Sequence, residues 1–169
     1  DLRVSSGTLN SGNSIEITCS AWDTPTFATA DGYFLMLINP DGDDRLIRLV
    51  DPPRFSVTPA KPDRLIAISP GDGFVGETET IRVRAVDAWE NAASTDVPKL
   101  DCRGAVIGEP ARCERYPVWE IPVSWKDPGV HRLKVTSGSL SCESNPTRVS
   151  ETRPGCRIYW GDLHAGQSE

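Results

Sequence analysis

The chain has 169 residues, 38% of them hydrophobic, which is enough for one large or two small packed cores and excludes a disordered tail. A formal net charge of -6 at pH 7, with acidic and basic residues interleaved, leaves no basic face on which a phosphate backbone would gather, so nucleic acid is not an expected partner. No run approaches the roughly 18 apolar residues that span a bilayer, and Asp1-Leu2-Arg3-Val4 is neither a signal peptide nor an initiating Met, so processing or truncation at both ends is expected.

Fourteen Pro and fourteen Gly, with Thr, Val and Ser spread through short segments, predict many short strands and an all-β fold. Leu2 to Leu9 and Ser14 to Trp22 read as strands, the second alternating as Ile15, Ile17, Cys19 and Ala21 on one face. Gly32 to Asn39 is nearly continuous in apolar residues, as in a strand covered on both faces. Asn39-Pro40-Asp41-Gly42-Asp43-Asp44 then carries the Asp-Gly signal of a hairpin turn, a commoner use of such Asp residues than a calcium loop. Arg45 to Val50 and Arg54 to Thr58 follow as strands, and Pro59-Ala60-Lys61-Pro62 is stiff and poor in ladder donors, which places a boundary near residue 61.

Beyond it, Arg64 to Ser69 and Glu79 to Asp87 read as strands, with Ile81, Val83 and Ala85 alternating against Arg82 and Arg84. Residues 76 to 87 echo residues 12 to 23, each running from a Gly through alternating β-formers to an Asp beside a Trp, which suggests two similar units. Residues 94 to 117 show little periodicity and read as a long loop. Strands resume at Trp119 to Trp125 and Val130 to Thr136, where His131 reads as an ordinary strand position, and Leu140 to Glu143 and Thr147 to Ser150 would close the sheet.

Five cysteines do not pair evenly. Cys102 and Cys113 flank one Gly/Pro loop and Cys142 and Cys156 bracket another, so two short-loop disulfides fit a periplasmic or extracellular setting, and free thiols fit a cytoplasmic one. No C-x2-C pair supports a structural zinc site.

The closing stretch, Arg157 to Glu169, runs from the apolar Ile158-Tyr159-Trp160 through Gly161 into Asp162-Leu163-His164, a strand arriving at a polar site. Strand alternation points Asp162 and His164 the same way. The pair can bind a divalent metal, the carboxylate can orient the imidazole that does, or the two are a plain hydrogen-bonded pair near the chain end. A metal needs about three or four ligands, so further ligands must come from elsewhere.

Three stretches carry a resemblance to a known family: Arg64 to Pro70 with Val75-Gly76-Glu77 and Val83 to Asn91; Glu143-Ser144-Asn145-Pro146; and Tyr159 to Ser168. Together they resemble bacterial proteins of unknown function that place immunoglobulin-like β-sandwich segments ahead of a PHP-like (polymerase and histidinol phosphatase type) metallohydrolase domain. The resemblance implies a β-sandwich unit or half over residues 1–60, an immunoglobulin-like sandwich over 61–155, and the first catalytic strand over 156–169. It implies a divalent metal in the parent protein, with His164 and Asp162 at the metal; the family's second His falls on Gly166, so that ligand is lost or Gln167 takes a different role, touching metal or substrate. Glu90 stands where the family usually has Gly before Asn91, removing the residue that best fits a left-handed turn.

On that reading the chain is the accessory region of a phosphoesterase-like hydrolase of small-molecule or ester substrates, partnered by the rest of the same protein and inactive alone. The alternative is a non-catalytic β-sandwich binding or spacer module. Among Trp22, Trp89, Trp119, Trp125 and Trp160, exposed rings would favour ligand binding and buried ones a structural brace.

Overall fold

Sixteen short strands, and no helix, make up the described part of the chain; the computed structural model describes residues 10–18, 20, 23–39, 43, 45–153, 155 and 156. The all-β class expected from composition is what forms. The expected strand Leu2 to Leu9 and the closing strand with Asp162, His164 and Gln167 lie outside the described residues.

The first four strands are β1 (Thr29–Tyr33), β2 (Leu37–Ile38), β3 (Ile47–Arg48) and β4 (Arg54–Val57). β1 pairs antiparallel with β4 and β2 with β3, so residues 29–38 and 47–57 form one two-stranded ribbon, here called the arm. Between the two ladders Phe34 N donates to Pro53 O and Leu49 N to Met36 O, each at 3.0 Å. The hairpin expected after Asn39 is present in that Ile38 faces Ile47, and Arg45 N donates to Asp43 Oδ1 at 2.8 Å, as acidic turn residues commonly accept.

The expectation of a strand covered on both faces at Gly32 to Asn39 is overturned. Leu35 is 63% and Leu37 50% exposed, because among the described residues the ribbon has no third strand or second sheet over it. Ser14 to Trp22 is not a strand in its described part either, and Ile15 and Ile17 are exposed. Alternation supplies an apolar face, but a strand persists only where a neighbour takes up its N–H and C=O groups.

The sandwich begins after the Pro59–Pro62 stretch. Its strands are β5 (Arg64–Ile68), β6 (Asp72–Phe74), β7 (Thr78–Val86), β8 (Ala92–Ala93), β9 (Lys99–Asp101), β10 (Ala105–Ile107), β11 (Ala111–Arg112), β12 (Trp119–Trp125), β13 (Gly129–His131), β14 (Lys134–Ser137), β15 (Leu140–Glu143) and β16 (Thr147–Ser150). The main sheet runs β10-β12-β7-β5, with β11 also on β12 and β8 on β7. Opposite it stand two three-stranded sheets, β13-β16-β6 and β15-β14-β9, and the β16–β6 pair is parallel.

β7 shows why this sequence sits here: Glu79, Ile81, Val83 and Ala85 are buried while Thr78, Thr80, Arg82 and Arg84 are exposed, the period of two that a half-buried strand requires. Leu65, Ala67, Ile121, Val123 and Trp125 join its inner face, and Leu133, Val135 and Val149 meet them from the other layer. Each buried Leu, Ile or Val among them contributes about 1.5–3 kcal/mol by leaving water.

Two segments depart from expectation. Residues 94–117 are not one long loop but carry β9, β10 and β11, too short for periodicity to reveal and held by pairing with β14 and β12. Val130 to Thr136 is not one strand: β13 pairs with β16 and β14 with β15 and β9, so the chain changes sheets at Arg132 and Leu133.

Candidate functional site: the Asp87 to Asn91 turn

Among the described residues, side-chain hydrogen bonds tie the arm to the sandwich at the turn Asp87 to Asn91. β7 ends at Val86, and the chain reverses through Asp87 to Asn91 so that Ala92 and Ala93 pair back on Val86 and Ala85. Asp87 N donates to Asn91 O (2.9 Å) and Glu90 N to Asp87 O (3.1 Å). The reversal needs a left-handed residue, and Glu90 takes that place with φ of 68°, so the tight turn forms without the glycine. An ion pair between Arg64 and Glu90 closes over it.

The Asp87 carboxylate, 1% exposed, organises the turn. Its Oδ1 accepts from Trp89 N and Asn91 N, both at 2.9 Å, and its Oδ2 accepts from Ala60 N at 2.9 Å. Asn91 Nδ2 adds contacts of 3.2 and 3.0 Å to the two oxygens. Burial pushes the Asp87 pKa up, but the hydrogen bonds from the Asn91 amide and from the Ala60, Trp89 and Asn91 backbone outweigh it and hold the carboxyl below its ordinary 3.8.

Asn91 carries the connection onward. Its Oδ1 accepts from Ala28 N and its Nδ2 donates to Thr26 O, both at 2.7 Å. Residues 26–28 enter the arm and Ala60 leaves it, so both feet of the ribbon are tied to one turn. The amide satisfies a donor and an acceptor of the incoming strand at once, as a paired strand would.

Beside this turn lie two adjoining open clefts. The larger, about 390 Å³, is lined by Lys61, Ser94, Thr95, Asp96, Ser137 and Ser139 among others. The second, of about 370 Å³, brings Ala88 and Asp63 against Lys61, Ser139 and Leu140. The Thr95 and Ser137 hydroxyls hydrogen-bond each other at 2.6 Å and Ser137 Oγ donates to Asp96 O at 2.8 Å, so part of the polar lining is already satisfied. Trp89, next in chain to Ala88, is 55% exposed, whereas Trp125 is buried, donating Nε1–H to Glu79 Oε2 at 3.2 Å.

The other polar groups singled out in the sequence serve the sandwich. Asn145 Oδ1 accepts from Ser69 N (2.8 Å) and its Nδ2 donates to Ser69 O (2.7 Å), while Ser144 Oγ accepts from Leu133 N (3.0 Å). Arg148 bonds the buried Asp72 across the parallel pair at 2.7–2.8 Å. His131 stacks on Trp125 with ring centroids 5.6 Å apart and its Nε2 lies 2.9 Å from Asp127 O, the ordinary strand role expected of it.

Cys102, Cys113, Cys142 and Cys156 are all free. Burial raises the Cys102 thiol pKa, helped by the charge of Asp101, and burial alone raises that of Cys142, which makes both poor nucleophiles near neutral pH. Asp162, His164 and Gln167, expected at a divalent metal, lie outside the described residues. Among the described residues no three His, Cys, Asp or Glu side chains gather to hold a metal ion, and no helix is long and apolar enough to cross a membrane.

Sequence reasoning marked Val83 to Asn91 and Glu143 to Pro146 but not what they do. Asn91 reaches Ala28 across 63 positions, and nothing local announces that. An Asp ending a long alternating strand with an Asn four residues on is the signal that could have found the turn itself.

No family model matches the chain, and no curated protein matches it. Solved structures similar to it include domains 5–6 of the S-layer protein SbsC, 16% identical over 57% of this chain and 47% of that one, with a TM-score of 0.45. Domains 4 and 5 of SbsC are 15% identical over 69% of this chain and 65% of that one, at 0.43. The Escherichia coli adhesin FdeC is 14% identical over 70% and 40%, at 0.47. The chain thus spans less than two thirds of each of these, and at such TM-scores the likenesses carry no argument about function. The resemblance to PHP-like metallohydrolases is corrected: no family model of that kind matches the chain, the similar solved structures are of an S-layer protein and an adhesin, and the described motifs that carry the resemblance, Asp87 to Asn91 and Ser144 to Pro146, are occupied in holding the arm and the sandwich together.

Proposed function

We propose that this chain is a non-catalytic β-sandwich spacer module, in which residues 64–150 hold the arm at a fixed angle. One observation carries this reading: the two feet of the arm, residues 26–28 and residue 60, are hydrogen-bonded to a single turn of the sandwich. A spacer transmits position only if its junction resists bending, and a junction gripped at both crossings by a buried carboxylate and an amide resists it better than one covalent linker.

Spin labels at Leu46→Cys in the arm and Val130→Cys on the sandwich, with the native cysteines replaced by Ser, test it. A narrow distance distribution that broadens in Asn91→Ala is expected. An equally broad distribution in both would overturn the reading, as would turnover of a generic phosphoester by the purified chain.

A binding role at the same end of the sandwich is favoured by the exposure of Trp89, which follows Ala88 of the smaller cleft in the chain, since an exposed indole suits stacking of a ring-shaped polar ligand. Titration with simple oligosaccharides, followed by the Trp89 fluorescence lost in Trp89→Phe, tests that role, and an unchanged spectrum would remove it.

A further inference from the structure

The chain enters the sandwich at one end and leaves it at the other. Arg64, which opens β5, stands opposite Val86 beside the Asp87 turn, where the arm joins. Ser150, which closes β16, accepts from Val75 N at 2.9 Å, in the turn that leads into β7 at Thr78. Entry and exit thus lie at opposite ends of the nine-residue β7, roughly 30 Å apart at the rise of a strand. For the chain to do this its first and last strands must run the same way. The β16–β6 pair is parallel, and every other pair among the described strands is antiparallel.

Parallel pairing is slightly weaker per residue than antiparallel, and here side chains reinforce it into a seam between residues 69–75 and 145–150. The Asn145 amide takes both backbone groups of Ser69, accepting from its N at 2.8 Å and donating to its O at 2.7 Å. The Ser69 and Thr147 hydroxyls bond each other, and Thr147 Oγ1 donates to Pro70 O at 2.7 Å. Arg148 N donates to Gly71 O at 2.9 Å, and its guanidinium bonds the buried Asp72 carboxylate at 2.7–2.8 Å. Ser69 and Thr147 are themselves buried, so water does not readily replace their bonds.

We propose that this seam is a mechanical clamp, and that the sandwich bears tension carried along the chain. Tension that reaches β5 from the arm side and β16 from the residues beyond Ser150 draws the two sides of the seam lengthwise in opposite directions. All its cross bonds are then loaded together, and the strands part only when several break at once. Drawn apart from one end, the same bonds would open one after another. The arm has no such protection: β1 and β4 are antiparallel and both are reached from the root of the ribbon, so tension opens them in series. Load bearing goes beyond the spacer role and uses none of the bonds of the Asp87 turn, so a loosely held arm would leave the clamp intact.

Single-molecule pulling on the full chain tests it, with the native cysteines replaced by Ser and handles attached at introduced cysteines on exposed positions. Handles at Asp63→Cys and Glu151→Cys pull from opposite ends and shear the seam. Handles at Thr78→Cys and Glu151→Cys both sit at the exit end and peel β16 away from Ser150 onward. At one fixed tension the sheared chain unfolds more slowly than the peeled chain by about tenfold or more. Asn145→Ala, at the end of the seam farthest from Ser150, speeds unfolding under shear by about tenfold and leaves the onset of peeling unchanged. A sheared chain that unfolds as fast as the peeled one, or faster, overturns the proposal on the unaltered seam alone. An equal effect of Asn145→Ala in both geometries also overturns it, because Asn145 would then serve general stability. A failed spacer role shows separately, as broad spin-label distances with the ratio of the two unfolding rates unmoved.

Discussion

Ile81 and Ile38 both stand on antiparallel strands among alternating or continuous apolar residues, yet Ile81 is fully buried and Ile38 is 44% exposed. The difference lies in what surrounds the strand. β7 has β5 and β12 on its two edges and a second layer over its inner face, whereas β2 has β3 on one edge and, among the described residues, nothing on the other. Apolar sequence creates the demand for burial, but only a neighbouring layer meets it. The arm consequently owes its position to hydrogen bonds at its feet, the sandwich to its core.

The contrast is sharpest under large-to-small substitution. Ile121→Ala, in the core, is expected to lower unfolding free energy by about 2–5 kcal/mol, whereas Ile38→Ala in the arm should cost under about 1 kcal/mol; chemical denaturation of the two variants checks both. Next in size is the junction. Asp87→Ala removes the acceptor of three backbone N–H groups and should raise the rate of protease cleavage near residues 24–28 and 58–61 by about tenfold, with the sandwich intact on the same gel.

Acid should mimic that substitution in one direction only. Because the folded carboxyl titrates below its ordinary 3.8, its hold on the feet is fully present above that pH and is lost as pH falls through the lower folded value. Cleavage at the feet by an acid-active protease should therefore rise below pH 3.8 and be flat from there to neutrality.

Smaller effects separate turn strain from surface contact. Glu90→Gly relieves a left-handed conformation that costs about 1–2 kcal/mol in a non-glycine residue and loses an exposed ion pair with Arg64 worth about 0.2–1 kcal/mol. A net gain near 1 kcal/mol is thus expected by thermal denaturation. Trp89→Ala, on an exposed ring, should change stability by no more than about 0.5 kcal/mol.

Much of the sandwich was legible because its strands obey local rules. Glu79 to Asp87 alternates cleanly, and Trp119 to Trp125 and Thr147 to Ser150 are bounded by turn residues, so each was expected within a residue or so of where it lies. β6 was not foreseen, since Asp72-Gly73-Phe74 has no strand pattern and is recruited by parallel pairing to β16. The space for it comes from Gly73, where a Cβ would lie 2.9 Å from Trp125 Nε1. The arm was misread in the other direction: Gly32 to Asn39 has the composition of a buried strand, and composition cannot say whether a second layer is present. At the junction Asp87 and Asn91 were noticed for their place in a motif, but their partners Ala28 and Ala60 are bare backbone, which any residue could supply.

The most direct measurement is the hydrogen-exchange rate of two single amides, Ala28 and Ala60, which donate to Asn91 Oδ1 and Asp87 Oδ2. Both should be slow in the unaltered chain and both should speed up together in Asn91→Ala, with Val83 in the core unchanged. Exchange of either amide at the rate of an unprotected peptide in the unaltered chain would contradict the claim that one turn of the sandwich grips both ends of the arm.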